Sequence, residues 1–236
     1  KKNWKVSPIM FSGNTDCYQP IEKKLEITRN MLKVLLDFKH PIGIITKNSL
    51  IQRDIDLLQE MATLNLVHAV ISITTLNEEL RRKMEPRTAS SIKRLQTVEA
   101  LTKAGIPVSV NIAPIIPGLN DTEIFSVAKA AAEHGALGIN YTIVRLTGEV
   151  EPVFTNWLEE AYPLRKDKIL HQIATIHGGE IQDLKSGRRM RGEGVLADSI
   201  KQQMQLVRNK YQLNKKIPKL NCDIFDARIN GQISLF

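Results

Sequence analysis

The sequence has 236 residues, 42% of them hydrophobic and 25% charged, with a formal net charge of +8. That length admits one α/β domain, or a domain with an appendage, and the composition is that of an ordinary globular protein. No apolar run approaches the length of a membrane span and no signal-peptide pattern opens the chain, so no membrane partner and a cytoplasmic setting are expected. Two cysteines, Cys17 and Cys222, exclude a disulfide framework and a complete metal site.

In chain order, strand-like runs are expected at residues 8–12, 42–46, 67–74, 108–113 and 137–146. Helical patterns lie between and after them at about 21–38, 50–63, 91–104, 122–134 and 165–177. The alternation implies βα units and a parallel sheet. Gly105 and Gly135 punctuate helix-to-strand turns, and Asn120 and Asp121 offer an N-cap for the fourth full helix. Five strands are too few for an eightfold barrel, so the expected fold class is α/β, a partial parallel (β/α) barrel. The chain opens at Lys1 and its first methionine is Met10, inside the first strand. A preceding segment is therefore expected.

The strand ends carry the polar residues, and the loops that follow parallel strands converge on one face. The first run ends in Asn14-Thr15-Asp16-Cys17-Tyr18, the second in Thr46-Lys47-Asn48, and the third in Ser72-Ile73-Thr74-Thr75. Met84-Glu85-Pro86-Arg87 follows, then Asn111 and Ala113-Pro114-Ile115-Ile116-Pro117-Gly118, then Asn140-Tyr141-Thr142 running on to Arg145. Both signs of charge at one mouth suit a polar small molecule. Asp16 reads equally as a cap for the helix after Pro20. Lys47 gains weight from its place after a buried strand. Glu85 and Arg87 also fit a surface ion pair, and Ser72 and Thr74 also fit ordinary strand positions. Asn111 interrupts an apolar run, and a buried amide must find a partner, such as a ligand. The five histidines show no ligand spacing, and no metal-binding residue is assigned. Cys17 and Tyr18 are the catalytic candidates. Asp16 beside Cys17 disfavours a thiolate, whereas a thiol that donates a hydrogen atom needs none.

Residues 185–219 hold ten Lys and Arg against Glu193 and Asp198, which equals the net charge of the whole chain. Arg188, Arg189 and Arg191 are the expected contacts to nucleic acid, a solvated tail being the plain alternative. The division expected is a barrel over 1–180 and a basic C-terminal extension or cap over 181–236.

Taken in order, Asn14-Thr15-Asp16-Cys17-Tyr18-Gln19-Pro20-Ile21-Glu22, Ile45-Thr46-Lys47, Ile71-Ser72-Ile73-Thr74, Met84-Glu85-Pro86-Arg87 and Ala113-Pro114-Ile115-Ile116-Pro117-Gly118 resemble the radical S-adenosylmethionine proteins related to spore photoproduct lyase, the DNA repair photolyase-like group. The resemblance spans about residues 6–180, with Arg189-Met190-Arg191-Gly192 similar to the C-terminal part of the same group. It implies a partial barrel of the radical SAM type, holding a [4Fe–4S] cluster and S-adenosylmethionine and generating a 5′-deoxyadenosyl radical. Residues carried over as cofactor contacts are Thr15, Asp16, Lys47 and Ser72, joined by Thr74, Glu85, Arg87 and Asn111.

Two departures stand out. The family holds its cluster with three closely spaced cysteines after the first barrel strand, and this sequence lacks them. The chain alone is therefore expected to be inactive, the first strand and its loop lying upstream. The lyase's hydrogen-donating cysteine has its counterpart at about Gly13. Three functions are carried forward: the core of a radical SAM enzyme with photoproduct lyase-like chemistry, a barrel aldolase forming a Schiff base on Lys47, and a non-catalytic nucleic-acid-binding module.

Overall fold

The computed structural model describes residues 5–182 and 188–226, without the side chains of residues 188 and 189. A short strand, β1 (Ile9–Phe11), leads through a loop into α1 (Glu22–Leu25) and α2 (Ile27–Asp37). One helix over 21–38 is expected from the sequence, but Glu26 adopts the left-handed conformation, φ 51°, and breaks it. The Glu22 carboxylate takes over the cap, accepting the Thr28 and Arg29 backbone N–H groups at 3.0 and 3.4 Å.

β2 (Ile42–Thr46) and α3 (Ile55–Thr63) follow. A 3-10 turn, Ser49–Asp54, joins them, capped by the Asn48 side chain, which accepts the Leu50 N–H. Next come β3 (Val67–Ser72), α4 (Glu78–Met84), α5 (Ser91–Lys103), β4 (Val108–Ile115) and α6 (Ile124–Glu133). β5 (Gly138–Ile143), α7 (Val150–Ala161), α8 (Lys166–Ile176), α9 (Arg188–Arg191) and α10 (Gly194–Lys210) complete the fold.

The five strands pair in parallel in the order β1-β2-β3-β4-β5, so each lies beside its sequence neighbour. β2 to β4 are almost continuously apolar because helices cover the sheet. The register aligns Ser72, Asn111 and Asn140 across three strands. Residues two apart share a face, so these three point the same way at the carboxyl end of the sheet.

The expected N-cap at Asn120 is not made. Asn120 is buried instead, accepting the Ile116 N–H at 2.6 Å and donating to the Thr74 and Pro114 carbonyls at 2.7 and 2.9 Å. It fastens the loop after β4 to the end of β3.

Within the basic extension or cap expected over 181–236, α10 packs against the barrel's helix layer. Ala197, Ile200, Met204 and Val207 join the same apolar cluster as the strands, and α10 packs on α6, α8 and β5. Among the described residues, no second core begins near residue 180. Asp198, Lys201 and Lys210 are exposed and Arg208 is half-buried, which is what gave the segment its solvated look in sequence.

The two edges of the sheet differ. At β5 the chain returns after α10: Ile139 N–H donates to Leu213 O at 3.2 Å and Lys215 N–H to Leu137 O at 3.1 Å. At β1 the apolar side chains Ile9 and Met10 stand exposed, and Ile27, Met31 and Val34 on α2 are exposed as well. No described residue pairs with the outer edge of β1.

Candidate functional site

A cavity of about 600 Å³ opens at the carboxyl ends of the strands, within the usual range for small-molecule sites. Each strand sends a residue into its wall: Ser12 after β1, Lys47 after β2, Ser72 from β3, Asn111 from β4 and Thr142 from β5. Glu85 follows α4, Arg145 follows β5, and Met84, Ile116, Val150 and Phe154 add apolar surface. Both signs of charge and several hydrogen-bonding groups therefore converge on one space.

Lys47 is held in place through its backbone and through its ammonium. Its N–H donates to Asp16 Oδ2 at 2.8 Å, and the Asp16 carboxylate also accepts the Thr46 hydroxyl at 2.8 Å and the Tyr18 N–H at 2.9 Å. Asp16 thus ties the first loop to the end of β2, a fuller role than capping the next helix. The Lys47 ammonium pairs with Glu85 Oε1. The other Glu85 oxygen accepts from Arg94 Nη2 at 2.7 Å, and the Thr74 hydroxyl lies 2.8 Å from Oε1. Burial pushes the Glu85 carboxyl up, but the charges of Lys47 and Arg94 outweigh it and hold it below the ordinary carboxylate range.

Arg94 escapes the sequence reading. It lies on α5 among Ser91, Leu95, Val98 and Leu101, all buried, and is itself 1% exposed. Its guanidinium also donates to Ser72 O at 3.0 Å and Ala89 O at 2.9 Å. The one available signal was an arginine on the apolar face of an amphipathic helix, where a charge must be paired.

The remaining candidates spread out. Thr74 is buried behind the cavity wall, within 3.0 Å of Ala113 O as well as near Glu85. Thr15 is exposed and accepts from Gln19 Nε2 at 2.9 Å. Arg87 is exposed and shares a side cavity of about 270 Å³ with Asp16, Tyr18 and Lys47. Neither Cys17 nor Tyr18 lines the main cavity. Burial, and then the Asp16 charge, pushes the Cys17 thiol up to about 11. Tyr18 is fully buried, its hydroxyl donating to Asp54 at 3.1 Å, and burial followed by the Asp54 charge raises its pKa strongly. Arg188 and Arg189 have side chains outside the described residues, and Arg191 lies away from the mouth, against Tyr141.

Comparison with known proteins agrees with this layout. An uncharacterized protein of Mycobacterium tuberculosis (strain ATCC 25618 / H37Rv) is 28% identical over 165 residues, covering 69% of this chain and 48% of its own length. One from Methanocaldococcus jannaschii is 31% identical over 156 residues, covering 66% and 56% respectively. The chain thus spans about half the length of these curated relatives. Among solved structures, spore photoproduct lyase complexed with dinucleoside spore photoproduct superposes with a TM-score of 0.59 at 15% identity, over 89% of this chain and 60% of that one. The shared fold is the radical SAM partial barrel. The family model for the radical SAM superfamily matches residues 1–131, more than half of the sequence, and takes in β1 to β4 with Lys47, Ser72, Glu85 and Asn111. By that match the chain belongs to the radical SAM superfamily.

Proposed function

We propose that the cavity at the strand ends binds S-adenosylmethionine, and that the chain is the cofactor-binding core of a radical SAM enzyme acting on nucleic acid. The observation that carries this reading is the Lys47 ammonium in the cavity wall, set there by the buried Glu85–Arg94 pair. A methionine carboxylate needs such a point charge, with Arg145 as a second cation on the same wall. Ser72, Asn111 and Thr142 would hydrogen-bond the amino-acid and nucleoside parts, and Phe154, Ile116 and Val150 offer apolar contact. Asp16 and Thr74 act behind these contacts, Arg87 lines the side cavity that shares Lys47, and Thr15 lies exposed in the loop after β1. When bound, the cofactor supplies hydrogen-atom abstraction, and the protein's part is orientation and exclusion of side reactions.

The donor set does not fit an iron–sulfur cluster. Thiolates hold such clusters, yet Cys17 and Cys222 are the two cysteines of the chain. No three His, Cys, Asp or Glu gather as a metal site among the described residues. A cluster acting with this core takes its thiolates from elsewhere. The nucleic-acid assignment, and a photoproduct lyase-like reaction, are supported by the net charge of +8 and by the fold shared with an enzyme solved with a dinucleoside spore photoproduct. The Schiff-base alternative would require Lys47 to give up the Glu85 carboxylate.

Isothermal titration of the chain with S-adenosylmethionine tests the core claim without a cluster. Saturable binding that weakens at least tenfold in Lys47→Met is expected, since loss of a charge-assisted contact costs about 1.5–3 kcal/mol. An unchanged affinity in that variant, or no binding by the wild type, refutes the assignment.

A further inference from the structure

A second cavity, of about 340 Å³, lies in the corner between β5, α9 and α10. Its wall carries Arg191, Lys201 and Arg208, with Gln205 and Asp198 beside them and the Tyr141 ring as its base. Asp198, Lys201, Gln205 and Arg208 follow helical spacing and share one face of α10. Three cations against one carboxylate leave an excess of two positive charges in this small space.

These cations lack ion-pair partners among the described residues, whereas most of the chain's half-buried and buried arginines are paired. Arg208 is half-buried, donating from Nε to Ile139 O at 3.0 Å and reaching Asn140 Oδ1 at 3.4 Å. Burial, and then the charge of Arg191, lowers its pKa, so the two guanidinium groups repel each other. Arg191 is aimed by Tyr141, its guanidinium carbon 4.2 Å from the ring centroid.

The loop behind Arg191 is fixed to the fold. Gly192 has φ +69° and lies so close to Ile176 that a Cβ there would collide with its side chain. The next residue, Glu193, donates its N–H to Ile176 O at 2.9 Å. Like charges are therefore gathered in a pinned loop and a packed helix, at a cost that a bound anion removes.

The geometry points to a phosphate-binding site in this corner, in which Arg191, Lys201 and Arg208 hold the phosphate group of a nucleic-acid strand or of a free phosphate ester. Guanidinium pairs suit phosphate oxygens by shape as well as charge, and Gln205 can donate a further hydrogen bond. The corner lies on the outer side of the edge strand: Tyr141 lines it, while its neighbour Thr142 lines the cofactor cavity. The site is independent of cofactor binding, so its failure leaves the reading of Lys47 untouched.

The test uses the full chain and two probes: inorganic phosphate by calorimetry, and a fluorescently labelled thymidylate dodecamer by anisotropy across a salt series. Arg191→Gln/Lys201→Gln removes two exposed cations, and Lys23→Gln/Lys24→Gln removes two from α1 as a charge-matched control. The corner variant is expected to lose at least tenfold in affinity and the control less than threefold. Asp198→Asn is expected to tighten binding severalfold. If both probes bind and compete, the strand backbone is the source. If phosphate alone binds with the same variant dependence, the source is a free ester. No binding of either probe, or equal losses in the corner and control variants, overturns the site. Circular dichroism confirms that each variant is folded before its affinity is read.

Discussion

Replacing Glu85 by glutamine keeps the shape of the side chain and removes a single charge. Arg94, 1% exposed, then loses the one carboxylate it pairs with among the described residues, while keeping its bonds to Ser72 O and Ala89 O. A buried guanidinium left without a counter-charge costs about 3–5 kcal/mol. Lys47 also loses its partner, but its side chain is 29% exposed, so water screens the change and its share is about 0–1 kcal/mol. A total near 4 kcal/mol is a large part of the 5–15 kcal/mol that typically holds a domain together. Urea unfolding followed by circular dichroism should show the midpoint falling by roughly 1.3–2 M, for a slope of about 2–3 kcal/mol/M. The pH dependence gives a second reading. Glu85 titrates below its ordinary 4.5 in the folded state, so its contribution is complete above that pH and is lost as the pH falls through the folded value. The stability gap between wild type and Glu85→Gln should therefore be constant from pH 7 to 5 and narrow below about 4.5. A loss under 1 kcal/mol at pH 7, or a gap that stays constant to pH 3, would refute the role of Glu85 as the compensating charge.

Asn120→Ala should lower Tm by roughly 10 °C, because the Thr74 and Pro114 carbonyls and the Ile116 N–H are all left without partners, at about 1–3 kcal/mol for each one buried; a calorimetric shift under 2 °C would show that the loop after β4 is held by something else. Cys17, with its thiol at about 11, should react with iodoacetamide at a rate that climbs about tenfold per pH unit between pH 7 and 10. Peptide mapping by mass spectrometry reads this directly, and a plateau by pH 9 would contradict the burial of the thiol.

The sheet was legible because its signal is local. Each strand is a short apolar run ended by polar residues, and sequential pairing needs no long-range information. The positions of Lys47 and Ser72 at strand ends followed from the same pattern. What escaped lies in side chains whose partners are distant in sequence. Nothing near Arg94 foretells Glu85 and Ser72 as its partners, and Asn120 resembles a cap until β3 is placed beside it. α4, Glu-Glu-Leu-Arg-Arg-Lys-Met, offers one buried apolar residue, Leu80, and so gives almost no periodic signal. Its buried Arg81 bonds to Glu78 and to the Glu85 and Thr88 carbonyls, and these polar contacts do what apolar packing does elsewhere. The C-terminal segment misleads for a related reason. Charge dominates its composition and masks a regular i, i+3, i+7, i+10 stripe, Ala197, Ile200, Met204 and Val207, that docks α10.

The sheet has a chemical direction as well as a structural one. At β5 the returning chain and Arg208 occupy the backbone groups near the start of the strand, so nothing can add there without displacing them. At β1 no described residue pairs with the outer backbone groups, and the strand's own Ile9 and Met10 are exposed, a surface on which extended peptide can both hydrogen-bond and shed water. Solutions of the chain would thus be expected to thicken from one side only. Crowding, salts that favour burial and partly unfolded neighbours would all act on those three residues of β1 before they act on the cofactor cavity, making the far edge of the barrel, rather than its mouth, the limit on how concentrated the protein can be kept.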